Sequence, residues 1–168
     1  MHLLMKSILT SALVILFIGL SSIHFYWAFG GKFGIDSALP INEEGTKILN
    51  PTSFDSLIVG GGLLIFAFLY LFSNYTPKNK FILIIRNIGL WGIPVVFILR
   101  VIGDFKYIGF FKQIKTTKFA YLDTVFYSPL CLLIAIFGFI VVRKNNNSSF
   151  EKRAVFNIRF IQQVQKDT

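Results

Sequence analysis

The residues best suited to chemistry are one histidine and two carboxylates at the ends of apolar runs, namely His24, Asp104 and Asp123. An imidazole titrates near neutral pH and a carboxylate can orient it, so this set is suited to general acid–base catalysis. A lone histidine at a helix end is more often a structural hydrogen-bond partner. We therefore favour hydrogen bonding for His24 and keep proton transfer as the alternative.

Other chemistries lack the residues they need. Bis-histidine haem ligation needs two histidines at one depth, but His2 lies at the far end of the run that ends near His24. A zinc site at His24 would have too few nitrogen or sulfur ligands. Cys131 is the only cysteine, which excludes a cysteine pair, and no Gly-x-Ser-x-Gly hydrolase motif occurs. We expect no metal and no cofactor, and whether the protein is an enzyme stays open.

The composition indicates an integral membrane protein. Of the 168 residues, 54% are hydrophobic and only 15% are charged, whereas about a quarter are charged in an ordinary soluble domain. The net charge of +9 comes from basic residues that flank apolar runs, where anionic lipid and the orientation rule account for them. We therefore expect no nucleic-acid binding.

Four apolar runs must position the polar residues, and they predict an all-α bundle of four transmembrane helices within residues 1–144. The predicted helices cover 7–28, 57–72, 81–103 and 123–142. A cleaved signal peptide is the alternative for the first run, with Gly19, Leu20 and Ser21 as the cleavage region. Because the apolar character continues through Phe29, we favour a helix. Gly60, Gly61 and Gly62 favour close helix packing in the second run.

The segments between the runs are predicted to lie outside the hydrocarbon. Residues 30–56 form a polar loop in which 38–42 and 46–50 can pair as a small hairpin. Residues 105–122 carry lysines among aromatic side chains, which is typical of a loop lying on lipid headgroups. The tail 145–168 offers Ser148 and Glu151 at capping-box spacing before a basic amphipathic surface helix. We favour its docking on the anionic cytoplasmic leaflet over binding to a protein partner.

The distribution of lysine and arginine predicts the orientation. With both termini cytoplasmic, nine basic residues lie inside and six outside, and Arg86 and Arg100 remain within the third helix. The lysine-rich loop 106–118 opposes this assignment, so the bias is modest. For Arg86, beside a basic turn, anchoring at the headgroups is the favoured interpretation.

Alternating helices bring the polar residues to one depth. Arg100 and Asp104 stand four positions apart, so we predict an ion pair, and Asp123 and Tyr127 share a helix face. Asp123 also suits a helix N-terminus, and this capping role is the alternative to a pocket role. The predicted pocket or polar clamp consists of His24, Tyr26, Trp27, Arg100, Asp104, Asp123 and Tyr127.

Several short motifs within residues 15–138 resemble those of a family of small bacterial four-helix membrane proteins of unknown function. They are His24-Phe25-Tyr26-Trp27-Ala28-Phe29-Gly30-Gly31, Arg100-Val101-Ile102-Gly103-Asp104, Gly109-Phe110-Phe111-Lys112, Phe119-Ala120-Tyr121-Leu122-Asp123 and Tyr127-Ser128-Pro129-Leu130. The resemblance implies the architecture, a multi-pass location in the bacterial plasma (inner) membrane, and membership of the seven site residues in the family pattern. It implies no reaction.

Two functional hypotheses follow. In the first, the protein binds a lipid or small apolar molecule in a polar and aromatic pocket in the outer leaflet. If the protein is an enzyme, this molecule is its substrate. In the second, it is a structural or accessory subunit whose polar cluster clamps helix ends and whose function lies in a membrane-protein partner. Transport is a weaker third, since four helices would need a homodimer to form a path.

Overall fold

The computed structural model describes residues 2–75, 77–145 and 165, and within them the regular secondary structure is helical, with loops between the helices and no β-strand. The helices are α1 (His2–Ala28), α2 (Ile35–Ala38), α3 (Ser53–Leu71), α4 (Lys80–Ile102) and α5 (Lys118–Asn145). Within the described residues, all but the short α2 are long and apolar enough to cross a membrane. The predicted all-α, four-span architecture is confirmed. The predicted amphipathic helix of the tail lies almost wholly outside the described residues.

Polar capping residues set the helix starts. The Thr52 side chain accepts a hydrogen bond from the Asp55 N–H, and the Asp55 carboxylate accepts from the Thr52 N–H. This capping box starts α3 at Ser53, before the apolar run from which we predicted a start at residue 57. The Thr117 side chain likewise accepts from the Ala120 N–H at 3.1 Å, so α5 begins at Lys118. Asp123 therefore lies inside α5, and the alternative role considered for it, as the cap of this helix, is wrong.

Helices α1 and α3 pack against each other in antiparallel orientation. The Ser21 hydroxyl donates to the Gly60 carbonyl at 2.7 Å, while Phe17 contacts Phe66 and Tyr70 further along α3, with ring centroids 5.7 and 5.8 Å apart. A Cβ atom at Gly60 would lie 3.3 Å from the His24 Cβ. Gly60 therefore permits the close approach that the glycine triplet predicted.

Helices α4 and α5 are also antiparallel, because the start of α5 lies beside the end of α4. Arg100 reaches Asp123, whereas Trp91, earlier in α4, contacts Phe139, later in α5, at 6.0 Å between ring centroids. The shared core is aliphatic and aromatic, with Leu13, Phe17, Ala67, Tyr70, Leu90, Ile93, Ile134, Val141 and Val142 buried. Large apolar side chains such as Ile15 and Ile88, which are 70% and 67% exposed, cover the outside, as expected for a surface that faces lipid.

The first loop is tied together locally. An isolated antiparallel bridge joins Ile41 and Lys47, so the predicted hairpin is reduced to one bridge. The Lys47 ammonium also contacts the Asp36 carboxylate at 2.6 Å. This exposed ion pair links α2 to the bridge residue Lys47.

Candidate functional site

Asp123 is the centre of a buried ionic cluster. It is fully buried, and its Oδ1 accepts from the Arg100 Nη2 at 2.7 Å. Its Oδ2 accepts from the Gly109 N–H at 2.8 Å and from the Lys112 Nζ at 3.0 Å. Three donors thus satisfy the carboxylate, and they offset the unfavourable free energy of burying its charge.

Lys112 is the principal residue of the cluster that was not among the predicted site residues. Its side chain is only 1% exposed, and its Nζ also donates to the Gly109 carbonyl at 3.0 Å and to the Thr124 hydroxyl at 2.7 Å. The predicted position of Lys112 on the headgroups is therefore wrong. The one signal in the sequence was its place in the Gly109-Phe110-Phe111-Lys112 motif. A lysine three residues after Gly109 can reach back to the Gly109 carbonyl.

The predicted ion pair between Arg100 and Asp104 is wrong, since Arg100 pairs with Asp123 instead. Helix α4 ends at Ile102, and Gly103 adopts φ +83°, so Asp104 no longer follows the helical spacing. The Asp104 Oδ1 accepts from three consecutive backbone N–H groups, at 2.9, 2.7 and 2.9 Å, which belong to Lys106, Tyr107 and Ile108. Partial desolvation raises the pKa of the Asp104 carboxyl, but these donors outweigh it and hold the pKa below its ordinary value.

The segment 103–112 folds back onto the end of α4, and two glycines allow it. Gly109 has φ +86°, and the Phe110 N–H donates to the Val101 carbonyl at 2.9 Å. A side chain at Gly103 would overlap the Ile108 carbonyl, and one at Gly109 would meet the Ile102 carbonyl. We call this segment the clasp, because it presents both the Gly109 N–H and the Lys112 ammonium to Asp123.

The start of α5 contains a π-helical turn, Asp123–Tyr127, in which the Ser128 N–H donates to the Asp123 carbonyl five residues earlier. Such turns are frequent at functional sites. Asp123 at one end enters the ionic cluster, and Tyr127 at the other end donates its hydroxyl to the Ser37 carbonyl at 3.2 Å. Through these two residues, the turn is hydrogen-bonded to α4, the clasp and α2.

A cavity of about 690 Å³ lies beside the cluster. It is bounded by the end of α1, the segment around α2, the start of α3, Arg100 of α4 and the 126–134 part of α5. Most lining residues are apolar or aromatic, among them Leu20, Ile23, Phe33, Ile35, Val59, Phe126, Leu130 and Ile134. The charged lining residues among those described are Arg100 and Asp55.

Hydrogen bonds and ring contacts fix the aromatic wall of the cavity. The Trp27 indole N–H donates to the Phe33 carbonyl at 2.9 Å, and the His24 ring meets Trp27 edge-on at 4.9 Å between centroids. Together with the bond from Tyr127 to Ser37, these contacts tie the α2 segment to α1 and α5. The hydrogen bond from its indole therefore fixes Trp27 in the wall of the cavity.

The predicted site is thus divided in two. Around the cavity the structure places five of the predicted residues, His24, Tyr26, Trp27, Arg100 and Tyr127. Asp123 lies behind Arg100 in the cluster, and Asp104 is occupied within the clasp. Arg100 is the residue that belongs to both parts. Among the described residues, no group of three histidine, cysteine or acidic side chains is placed to hold one metal ion.

Comparison with known proteins gives a family and no activity. The family whose model matches residues 17–138 is described as a protein of unknown function, DUF3995. No curated protein and no solved structure matches the chain. The matched stretch is most of the chain and includes both the ionic cluster and the cavity-lining residues of α1, α4 and α5. The chain therefore belongs to the DUF3995 family.

Proposed function

We propose that this protein binds a lipid or another small apolar molecule in the cavity beside Arg100. The observation that carries the proposal is the cavity itself, with its apolar and aromatic walls and few polar groups. Small-molecule sites in proteins have this composition and a volume of roughly 300 to 1,000 Å³. A volume of about 690 Å³ lies well inside that range.

The position of the cavity favours a ligand that arrives from the bilayer. Its walls come from the ends of α1 and α4 and from the starts of α3 and α5, which meet at one face of an antiparallel bundle. We take this face as the outer one, following the orientation predicted from the larger number of lysines and arginines on the opposite side. Lining side chains such as Tyr26 and Phe126, which are 49% and 57% exposed, also border the surface that lipid would cover. A lipid molecule therefore has a short path into the site.

The test is native mass spectrometry of the protein extracted in mild detergent, in which we expect one apolar molecule bound in a fixed ratio. Val59→Trp, which fills the cavity from α3, should remove that molecule. Ile58→Trp is the matched control, because Ile58 is 58% exposed and is not a lining residue. Retention of the ligand by Val59→Trp, or wild-type protein without any ligand, would contradict the proposal.

A second candidate function is that of a structural or accessory subunit. The observation in its favour is the ionic cluster at Asp123, whose hydrogen bonds join α4, the clasp and α5 directly. In that case a stable membrane-protein partner should remain bound through purification in mild detergent. Val59→Trp would then have no effect on recovery of the partner, which separates the two functions.

A further inference from the structure

We propose that the occupant of the cavity is a single-chain amphiphile with a singly charged anionic head, of the fatty-acid type, and that Arg100 binds the head. This inference rests on the proposed function and names the chemical class of the ligand. It follows from the charge of the cluster, the unused donors of Arg100, the second charged residue of the wall and the shape of the remaining lining.

The ionic cluster has a net charge of +1, because it contains two cations and one carboxylate. Asp123 is shared by two cations, Arg100 and Lys112. Lys112 is enclosed, with its side chain 1% exposed, whereas the Arg100 side chain is 31% exposed and lines the cavity. The surplus charge is therefore accessible from the cavity through Arg100. In surroundings of low polarity, such a charge favours an anion much more strongly than it would in water.

Arg100 also has hydrogen-bonding capacity left. A guanidinium offers five N–H donors, and the hydrogen bond to Asp123 engages Nη2. Nη1 is buried and has no hydrogen-bond partner among the described residues. A buried donor without an acceptor is unfavourable. A carboxylate seated on the guanidinium supplies acceptors of the geometry that arginine binds best.

Asp55, the other charged lining residue, limits the charge of the head. Its carboxylate accepts from the Thr52 N–H and hydroxyl, both at 2.8 Å, and thereby caps α3. This carboxylate is exposed but stays in the wall of the same cavity, so it disfavours a second negative charge on the ligand. A single charge placed on the Arg100 side satisfies both residues, and this favours a carboxylate over a doubly charged phosphate.

The rest of the lining fits one acyl chain. Tyr127, Leu130, Cys131 and Ile134 all line the cavity and follow one face of α5 over about 10 Å, at 1.5 Å per residue. Ile134 at the end of this row is fully buried. A head at Arg100 therefore places a tail along α5 toward the bundle core. The volume suits a drug-sized molecule, and so it admits one chain rather than the two of a phospholipid.

Cys131 provides the readout, since it lines the cavity and is the only cysteine of the chain. The full-length protein in phosphatidylcholine nanodiscs is treated with a methanethiosulfonate reagent in the presence of hexadecanoate, hexadecanol or hexadecylamine, at a pH at which the acid is ionised. A charge-assisted hydrogen bond contributes at least about 1.4 kcal/mol, so we expect hexadecanoate to protect Cys131 at a concentration about tenfold or more below that of hexadecanol. Hexadecylamine should protect least.

The outcomes separate this inference from the proposed function. Equal protection by acid and alcohol would overturn the inference and leave the proposed function standing, whereas protection by none of the three would overturn both. Arg100→Gln should abolish the preference for the acid over the alcohol. Asp55→Asn, which keeps a capping acceptor, should increase that preference, and it serves as the test if Arg100→Gln does not fold. A Cys131→Ser, Leu133→Cys chain is the control, because Leu133 is 47% exposed and outside the lining, so its labelling should not respond.

Discussion

At the scale of single residues, the sequence predicts which polar groups share a depth but not which of them pair. His24, Arg100 and Tyr127 follow from helix ends and spacing, because successive helices alternate in direction across a bilayer. The partner of Arg100 does not follow, since Gly103 ends α4 and turns Asp104 away from the helical spacing. The motif that contains Lys112 marks this residue, but its burial does not follow from the sequence, because it depends on how the clasp folds.

Asp123→Ala should therefore be the most destabilising single change in the cluster. It leaves Arg100 and Lys112 without their counter-ion, and loss of one partner of a buried ion pair costs about 3 to 5 kcal/mol. Lys112→Met added to Asp123→Ala should recover part of the loss, since it removes the more deeply buried cation. Thermal unfolding in detergent measures both effects.

Asp36→Ala is the control for that series, because it removes an exposed ion pair, and it should change the unfolding temperature little. Strictly additive losses in the Asp123 and Lys112 double variant would show that the two side chains do not interact. Asp104→Ala should lower the free energy of unfolding less than Asp123→Ala does, because the backbone N–H groups that it leaves without an acceptor can bind water instead.

At the scale of elements, apolar runs locate the four long helices, but their first residues are set by groups outside those runs. Thr52 and Thr117 start α3 and α5 through side-chain caps, and neither residue belongs to an apolar stretch. The π-helical turn of α5 is likewise invisible to periodicity, since Asp123 and Tyr127 stand at an ordinary helical spacing. The sequence therefore predicts element types well and their ends poorly.

The clasp is the element on which the cluster depends, and Gly109→Ala tests it. A Cβ atom there would meet the Val101 and Ile102 carbonyls, and φ is +86°. We expect the Gly109 N–H to withdraw from Asp123, with a loss of unfolding free energy clearly above the 1 to 2 kcal/mol or so that a left-handed backbone alone costs a side chain. Urea or thermal unfolding in detergent gives the difference.

Gly45→Ala is the matched control for the clasp. Gly45 has φ +80°, but a Cβ atom there meets nothing within 4 Å. It carries the same conformational penalty without the overlap, so the excess loss in Gly109→Ala measures the contact between the clasp and α4. Equal losses in the two variants would mean that the clasp adjusts without releasing Asp123.

At the scale of the whole molecule, an antiparallel bundle places the cavity and the ionic cluster at one face of the membrane. The helix pairs α1 with α3 and α4 with α5 both run in opposite directions, as the contacts of Ser21 with Gly60 and of Arg100 with Asp123 require. Which face this is depends on the distribution of basic residues, and here the burial of Lys112 matters. Its charge is matched by Asp123, so it cannot anchor the loop to headgroups as a solvated lysine would.

The orientation prediction can be checked in intact cells. With both termini cytoplasmic, a reporter that works only in the cytoplasm should be active when it is fused after Thr168. A cysteine at Glu44, in a Cys131→Ser background, should react with a membrane-impermeant thiol reagent, because this orientation places the first loop outside. A cysteine at Lys78, in the turn between α3 and α4, is the control and should react only after permeabilisation. The reverse pattern would place the first loop, Arg100 and the cavity in the cytoplasmic leaflet, and a fatty-acid-type ligand would then have to come from the inner side of the membrane.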